Sequence, residues 1–85
     1  MSIPTLILAY VVALLESQHG EVWVGTFAGV AVIGKDGVRS LDLVKVNDTQ
    51  SVFDFFEDRA ADAIWMATDR GLIRYRARDG QLAAV

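Results

Sequence analysis

The chain contains no cysteine, so neither a disulfide framework nor a thiolate metal site can hold it together. That absence fits a cytoplasmic and a periplasmic protein equally. Basic residues are few: the formal net charge is −3 and the pI near 4.8, which argues against a nucleic-acid partner because no positive surface dominates. Proline occurs once, as Pro4, and histidine once, as His19. The longest apolar run, Ile3 to Leu15, lacks the basic start and small-residue cleavage site of a secretion signal and is too short for a transmembrane helix. A Gly-rich phosphate loop, a nucleophile elbow and paired metal-ligand spacings are all missing, and nothing implies a cofactor.

What the chain has in excess is apolar surface. It is 53% hydrophobic with a mean hydropathy of +0.34, rich for 85 residues. A domain of this size buries only ~60% of its unfolded surface. Further blades of a longer parent protein or further copies of the chain are therefore expected to cover the remainder.

The second surplus is self-similarity. Glu21-Val22-Trp23-Val24-Gly25-Thr26-Phe27-Ala28-Gly29 returns as Ala63-Ile64-Trp65-Met66-Ala67-Thr68-Asp69-Arg70-Gly71, and the Trp, Thr and final Gly of each copy lie 42 positions apart. A repeat of that length means stacked or radially arranged units. The copies also share the stretch before Glu16 and Glu57 and an Asp-Gly pair, Asp36-Gly37 and Asp79-Gly80. Their one-residue difference falls where His19-Gly20 faces Ala60-Ala61-Asp62, as expected of a loop.

Read in order, residues 1–10 form a strand or linker, 11–46 the first repeat and 47–85 the second. Strands are expected at Val11 to Glu16, Val22 to Thr26, Val30 to Ile33 and Val38 to Lys45, followed by a polar connector over Val46 to Ser51. Alternation in the second strand puts Val22, Val24 and Thr26 on one face and Trp23 with Gly25 on the other. Gly34-Lys35-Asp36-Gly37 is a hairpin signal, and Gly29 and Gly71 are expected at positive φ. Val52 to Phe56, Ile64 to Thr68, Leu72 to Arg76 and Gln81 to Val85 repeat the four strands, with a helix as the competing assignment only over Val52 to Ala63. Four strands per ~42 residues is the count of one propeller blade. The expected fold is all-β: two four-stranded antiparallel β-propeller blades.

Leu15-Glu16 followed by Gly20, Val22-Trp23-Val24-Gly25-Thr26 and Gly29-Val30, with its second version Phe56-Glu57 and Ile64-Trp65-Met66-Ala67-Thr68-Asp69-Arg70-Gly71-Leu72, resembles the two-component regulator propeller repeat. Ala67 stands for the usual Gly, Val30 for Leu and Ile33 for an aromatic, and Ala60-Ala61-Asp62 lacks the turn glycine. The resemblance implies a propeller segment from the periplasmic or extracytoplasmic sensor region of a hybrid histidine kinase or related signalling protein. Such a segment binds a small molecule or carbohydrate and relays occupancy without catalysis. With two repeats and no catalytic module, the chain matches either a piece of a longer protein or a small protein that assembles.

Individual residues divide between ordinary and specialised roles. Trp23 and Trp65 could stack a sugar, but their repeat positions assign them to packing between sheets. Glu16, Glu57 and Asp58 could ligate a cation or form an acid–base pair, yet their place before a turn makes them turn acceptors. His19 in a polar turn reads as solvated. Arg74, Arg76 and Arg78 alternate along one strand face, as on a charged edge or an anion site. No catalytic or metal residue is assigned, and the ligand-binding residues are unknown from sequence. Binding is the expected function, a self-assembling scaffold or protein-interaction module the alternative, and a hydrolase or lyase using Glu57 and Asp58 the most distant reading.

Overall fold

A computed structural model describes residues 11–85; the strand or linker expected over 1–10 lies outside them. The first sheet is an antiparallel meander of β1 (Val11–Glu16), β2 (Val22–Thr26), β3 (Gly29–Gly34) and β4 (Gly37–Leu41), in that spatial order. A short helix α1 (Val44–Asn47) leads to the second sheet, β5 (Val52–Asp58), β6 (Ala63–Thr68), β7 (Gly71–Arg76) and β8 (Gln81–Ala84), again in sequence order. The strand at β5 excludes the helix considered for Val52 to Ala63.

One difference falls between the sheets. The fourth strand ends at Leu41 rather than Lys45, and the expected connector begins as α1. The Asp42 carboxylate accepts the Lys45 N–H at 3.2 Å, which favours a turn over continued pairing. Asp48 closes the helix at φ 61° with its N–H on Val44 O. The turn brings Leu43 and Val46, spaced by three, into the core.

Both repeats build their hairpins alike. Thr26 and Gly29 pair across a two-residue turn, as do Thr68 and Gly71. In each, the threonine hydroxyl donates to the glycine carbonyl and accepts a turn N–H, from Ala28 at 2.9 Å and from Arg70 at 3.1 Å. Gly29 and Gly71 take φ 127° and 105°, the left-handed region as expected. The recurring Thr-x-x-Gly is thus a turn device. Where the second repeat lacks the glycine corresponding to Gly20, Asp62 occupies the position at φ 54°, a conformation Asp tolerates better than most residues.

The sheets pack face to face over Trp23, Val30, Val32, Val52, Ile64, Met66, Ile73 and Tyr75. A β-bulge between Val11 and Ala13 recurs between Val52 and Asp54. The sheets approach most closely where β5 lies against β1 and β2, while α1 lies near β8. Trp23 is fully buried and meets Tyr75 and Phe55 edge-on, with centroids at 4.7 and 6.2 Å. Gly25 lies flush on the second sheet: a Cβ there would come within 3.0 Å of Val52 O, which only glycine avoids. Trp65, expected to pack between sheets like Trp23, instead shares the opposite face of its sheet with Phe56 and is half-buried under Arg74, whose guanidinium lies 5.8 Å from the ring centroid.

Candidate functional site

At the end of the molecule where β1 turns into β2 and β3 into β4, the sheets leave a cleft of about 760 Å³. The first sheet supplies His19, Glu21, Lys35 and Arg39, and the second supplies Asp62 and Tyr75. Glu21 and Arg39 bracket the β2–β3–β4 end and form an ion pair at 2.9 Å. The hydrogen bond to Glu21 raises the Arg39 pKa further above its ordinary value. Lys35 occupies the two-residue turn between Gly34 and Gly37 and is exposed, with no ion pair among the described residues.

Across the cleft the Ser17–Gly20 turn is fastened to the β5–β6 turn. His19 Nε2 lies 2.6 Å from Asp62 Oδ1, and the Gln18 side-chain amide donates to the same oxygen at 2.9 Å. The Gln18 N–H donates to Glu57 Oε2 at 2.7 Å, and its side chain donates to Arg59 O at 3.2 Å. The hydrogen bond to Asp62, then its charge, raises the His19 pKa above 6.5. The same hydrogen bond and the one from Gln18 lower that of Asp62. His19 is therefore half exposed, as its turn suggests, but partnered.

The other sequence candidates are not brought together. Glu57 faces the first sheet, where it takes the Gln18 N–H and lies 3.6 Å from Arg59, so it accepts across the interface rather than within its own turn. Asp58 accepts the Ala61 N–H at 3.1 Å, the turn role expected of it. Glu16 is exposed on the other sheet and makes no ion pair among the described residues. Both Glu57 and Asp58 are occupied by structural hydrogen bonds, a poor arrangement for an acid–base pair. Among the described residues no three His, Asp or Glu converge as a metal site.

The arginine row is also rearranged. β7 is an interior strand that ends at Arg76, so Arg78 lies beyond it and the row is not a sheet edge. Arg76 donates two bonds to Asp79 Oδ2, the shorter 2.7 Å, while Arg74 covers Trp65. Pairing with Arg76 lowers the Asp79 pKa. These contacts leave little for an anion to displace.

Sequence reasoning missed Glu21, Arg39, Asp62 and Tyr75 as a group. The accessible signal was Asp62, which stands three residues before Trp65 just as Gly20 stands three before Trp23. Asp62 tolerates the backbone angle that Gly20 takes and brings a carboxylate that meets Gln18 and His19. The cleft offers ammonium, guanidinium, carboxylate and phenol groups around one space, suited to holding a polar ligand by hydrogen bonds. No helix among the described residues is long and apolar enough to cross a membrane. No family model, curated protein or solved structure matches the chain.

Proposed function

We propose that the chain is a ligand-sensing β-propeller segment of an extracytoplasmic two-component-type signalling protein, which binds a small molecule or carbohydrate and relays its presence rather than transforming it. The two meanders related by a 42-residue step support the blade reading. So does the convergence of the sheets along β5, β1 and β2, the way blades meet near an axis. The observation that carries the binding part is the cleft, because both sheets line it: a ligand touching Arg39 on one side and Asp62 on the other changes the energy of their relative placement. Partners on this reading are further blades, from a longer parent chain or from copies of this one. Nucleic acid and membrane insertion have no role.

Calorimetric titration with a panel of neutral, uronic-acid and amino-sugar disaccharides tests the reading. At least one class is expected to bind the native chain, with affinity lowered about tenfold or more by Arg39→Ala or Asp62→Ala. Absence of binding across the panel, or binding that neither substitution alters, refutes the sensing site. A second reading, a self-assembling scaffold without a small-molecule ligand, is favoured by the exposure of Leu14 and Phe56, each 66% accessible.

A further inference from the structure

We propose that Asp36 is a site of spontaneous backbone isomerisation: the Gly37 nitrogen closes on the Asp36 side-chain carboxyl, and the cyclic imide so formed opens to isoaspartate, while the matching pair Asp79-Gly80 is protected by its contacts. The chain has two Asp-Gly pairs, one in the last hairpin turn of each sheet. Glycine after aspartate leaves the attacking nitrogen without a neighbouring Cβ in its way. The dipeptides are identical, so only their surroundings separate them.

The reaction needs no partner molecule. The Gly37 nitrogen forms a bond to Asp36 Cγ and gives up its proton, the acid form of the carboxyl gives up its hydroxyl, and the two leave as water. Water then adds to either carbonyl of the imide. Addition at Cγ, with cleavage of the Cγ–N bond, restores aspartate. Addition at the α-carbonyl, with cleavage of that carbon's bond to nitrogen, routes the backbone through Cβ and Cγ and leaves the α-carboxylate free. One water is lost and one regained, and nothing is oxidised or reduced.

Lys35 and Asp36 form the exposed two-residue turn between β3 and β4. Among the described residues no hydrogen bond or ion pair holds the Asp36 carboxylate. Gly37 pairs with Gly34, so a single closing pair has to part, and neither glycine brings a side chain across the turn to hold it. A Cβ at Gly37 would meet nothing within 4 Å, so the space around that residue is open. Among the described residues β4 is the outermost strand of its sheet, and its end can open without disturbing the other strands.

Asp79 is held at every point where Asp36 is loose. Its carboxylate accepts from Arg76 at 3.0 and 2.7 Å and from the Gln81 N–H at 3.1 Å. The Gly80 N–H that would have to attack is donated to Arg76 O at 2.8 Å. Pairing with Arg76 also lowers the Asp79 pKa, which depletes the acid form that the reaction consumes. Isoaspartate at Asp36, in contrast, adds one carbon to a turn whose length sets the Ile33–Val38 and Val32–Arg39 register. The change falls on the cleft wall that carries Lys35 and Arg39, and it proceeds whether or not the cleft binds a ligand.

Peptide mapping with electron-transfer fragmentation, which separates the two isomers of equal mass, tests this on the native chain incubated at neutral pH below its unfolding midpoint. Isoaspartate is expected to form at Asp36 at least about fivefold faster than at Asp79. In guanidinium chloride the two rates should converge to within about twofold, because the contacts that distinguish them are gone. Arg76→Ala, checked for folding by circular dichroism, should raise the Asp79 rate at least about threefold and leave that of Asp36 unchanged. Asp36→Glu should abolish isomerisation at its position. Absence of isoaspartate at Asp36, equal rates at the two sites in the native chain, a difference that persists in denaturant, or an Asp79 rate indifferent to Arg76→Ala overturns the proposal.

Discussion

Replacing Trp23 by alanine removes the largest side chain between the sheets, and its cost follows from what surrounds it. The side chain is fully buried and makes two edge-on aromatic contacts. Deleting a buried large aromatic costs about 3–5 kcal/mol, which includes the cavity left behind. One feature reduces that figure: the indole Nε1 is buried without a hydrogen-bond partner, and deleting an unsatisfied donor returns roughly 1 kcal/mol of its desolvation penalty. The expected loss is therefore about 3 kcal/mol, a large fraction of the ~4–13 kcal/mol available to a domain of this length. At ~4–8 °C per kcal/mol the midpoint should fall by roughly 12–24 °C. Trp65→Ala is the internal control, because it removes a half-buried ring from an open face and should cost about 1 kcal/mol or less in dilute monomer. Urea unfolding at sub-micromolar concentration, followed by far-ultraviolet circular dichroism, measures both. Equal losses from the two substitutions would contradict the assignment of only Trp23 to the inter-sheet core.

Gly25→Ala should destabilise the chain by about 1–3 kcal/mol, because the new methyl meets the Val52 carbonyl at 3.0 Å and the backbone oxygen cannot rotate away; a neutral result in denaturant unfolding would show that the sheets do not approach so closely. His19 should titrate above 6.5 by nuclear magnetic resonance, and Asp62→Asn should return it toward that value. Since the folded-state pKa is raised, the His19–Asp62 contribution to stability is fully present below the unfolded value near 6.5 and lost as pH rises through the folded value. Asp62, lowered in the folded state, loses its share as pH falls through that depressed value, so the fastening is strongest between the two. An unshifted His19 in the native chain would contradict the contact.

The repeat made the all-β class and most strand positions legible, since Trp23 and Trp65, Thr26 and Thr68, and Gly29 and Gly71 fix two hairpins independently of strand propensity. Alternation misled where the backbone departs from it. At the bulges, Val52 and Phe55 reach the same face although three residues apart, and no composition signal marks the extra residue. Leu43 and Val46 were absorbed into a strand and a connector because a four-residue helix is too short for helical periodicity to emerge. The cleft was hidden for a different reason. Its walls come from residues about 20 to 55 positions apart whose convergence depends on how the sheets pack, and neither repeat contains it alone. Equal sequence position also implied equal environment for the two tryptophans, but Trp23 lies on the face of its sheet turned toward the other sheet and Trp65 on the face turned away.

Because each sheet is a meander of sequence neighbours, nearly all its pairing is local, and loop closure within a sheet is inexpensive in entropy. The contacts that join the sheets are concentrated on β5 against β1 and β2, with α1 reaching β8. Such a chain has two candidate foldons whose docking is a separate event, and a nearest-neighbour description of its cooperativity applies. Gly25 and Trp23 then act as the coupling between foldons: flush backbone contact and a shared aromatic core make opening one sheet expose the other. Weakening that coupling would split a single unfolding transition into two, so the residues that fix how closely the sheets stand also decide whether the chain unfolds as one body.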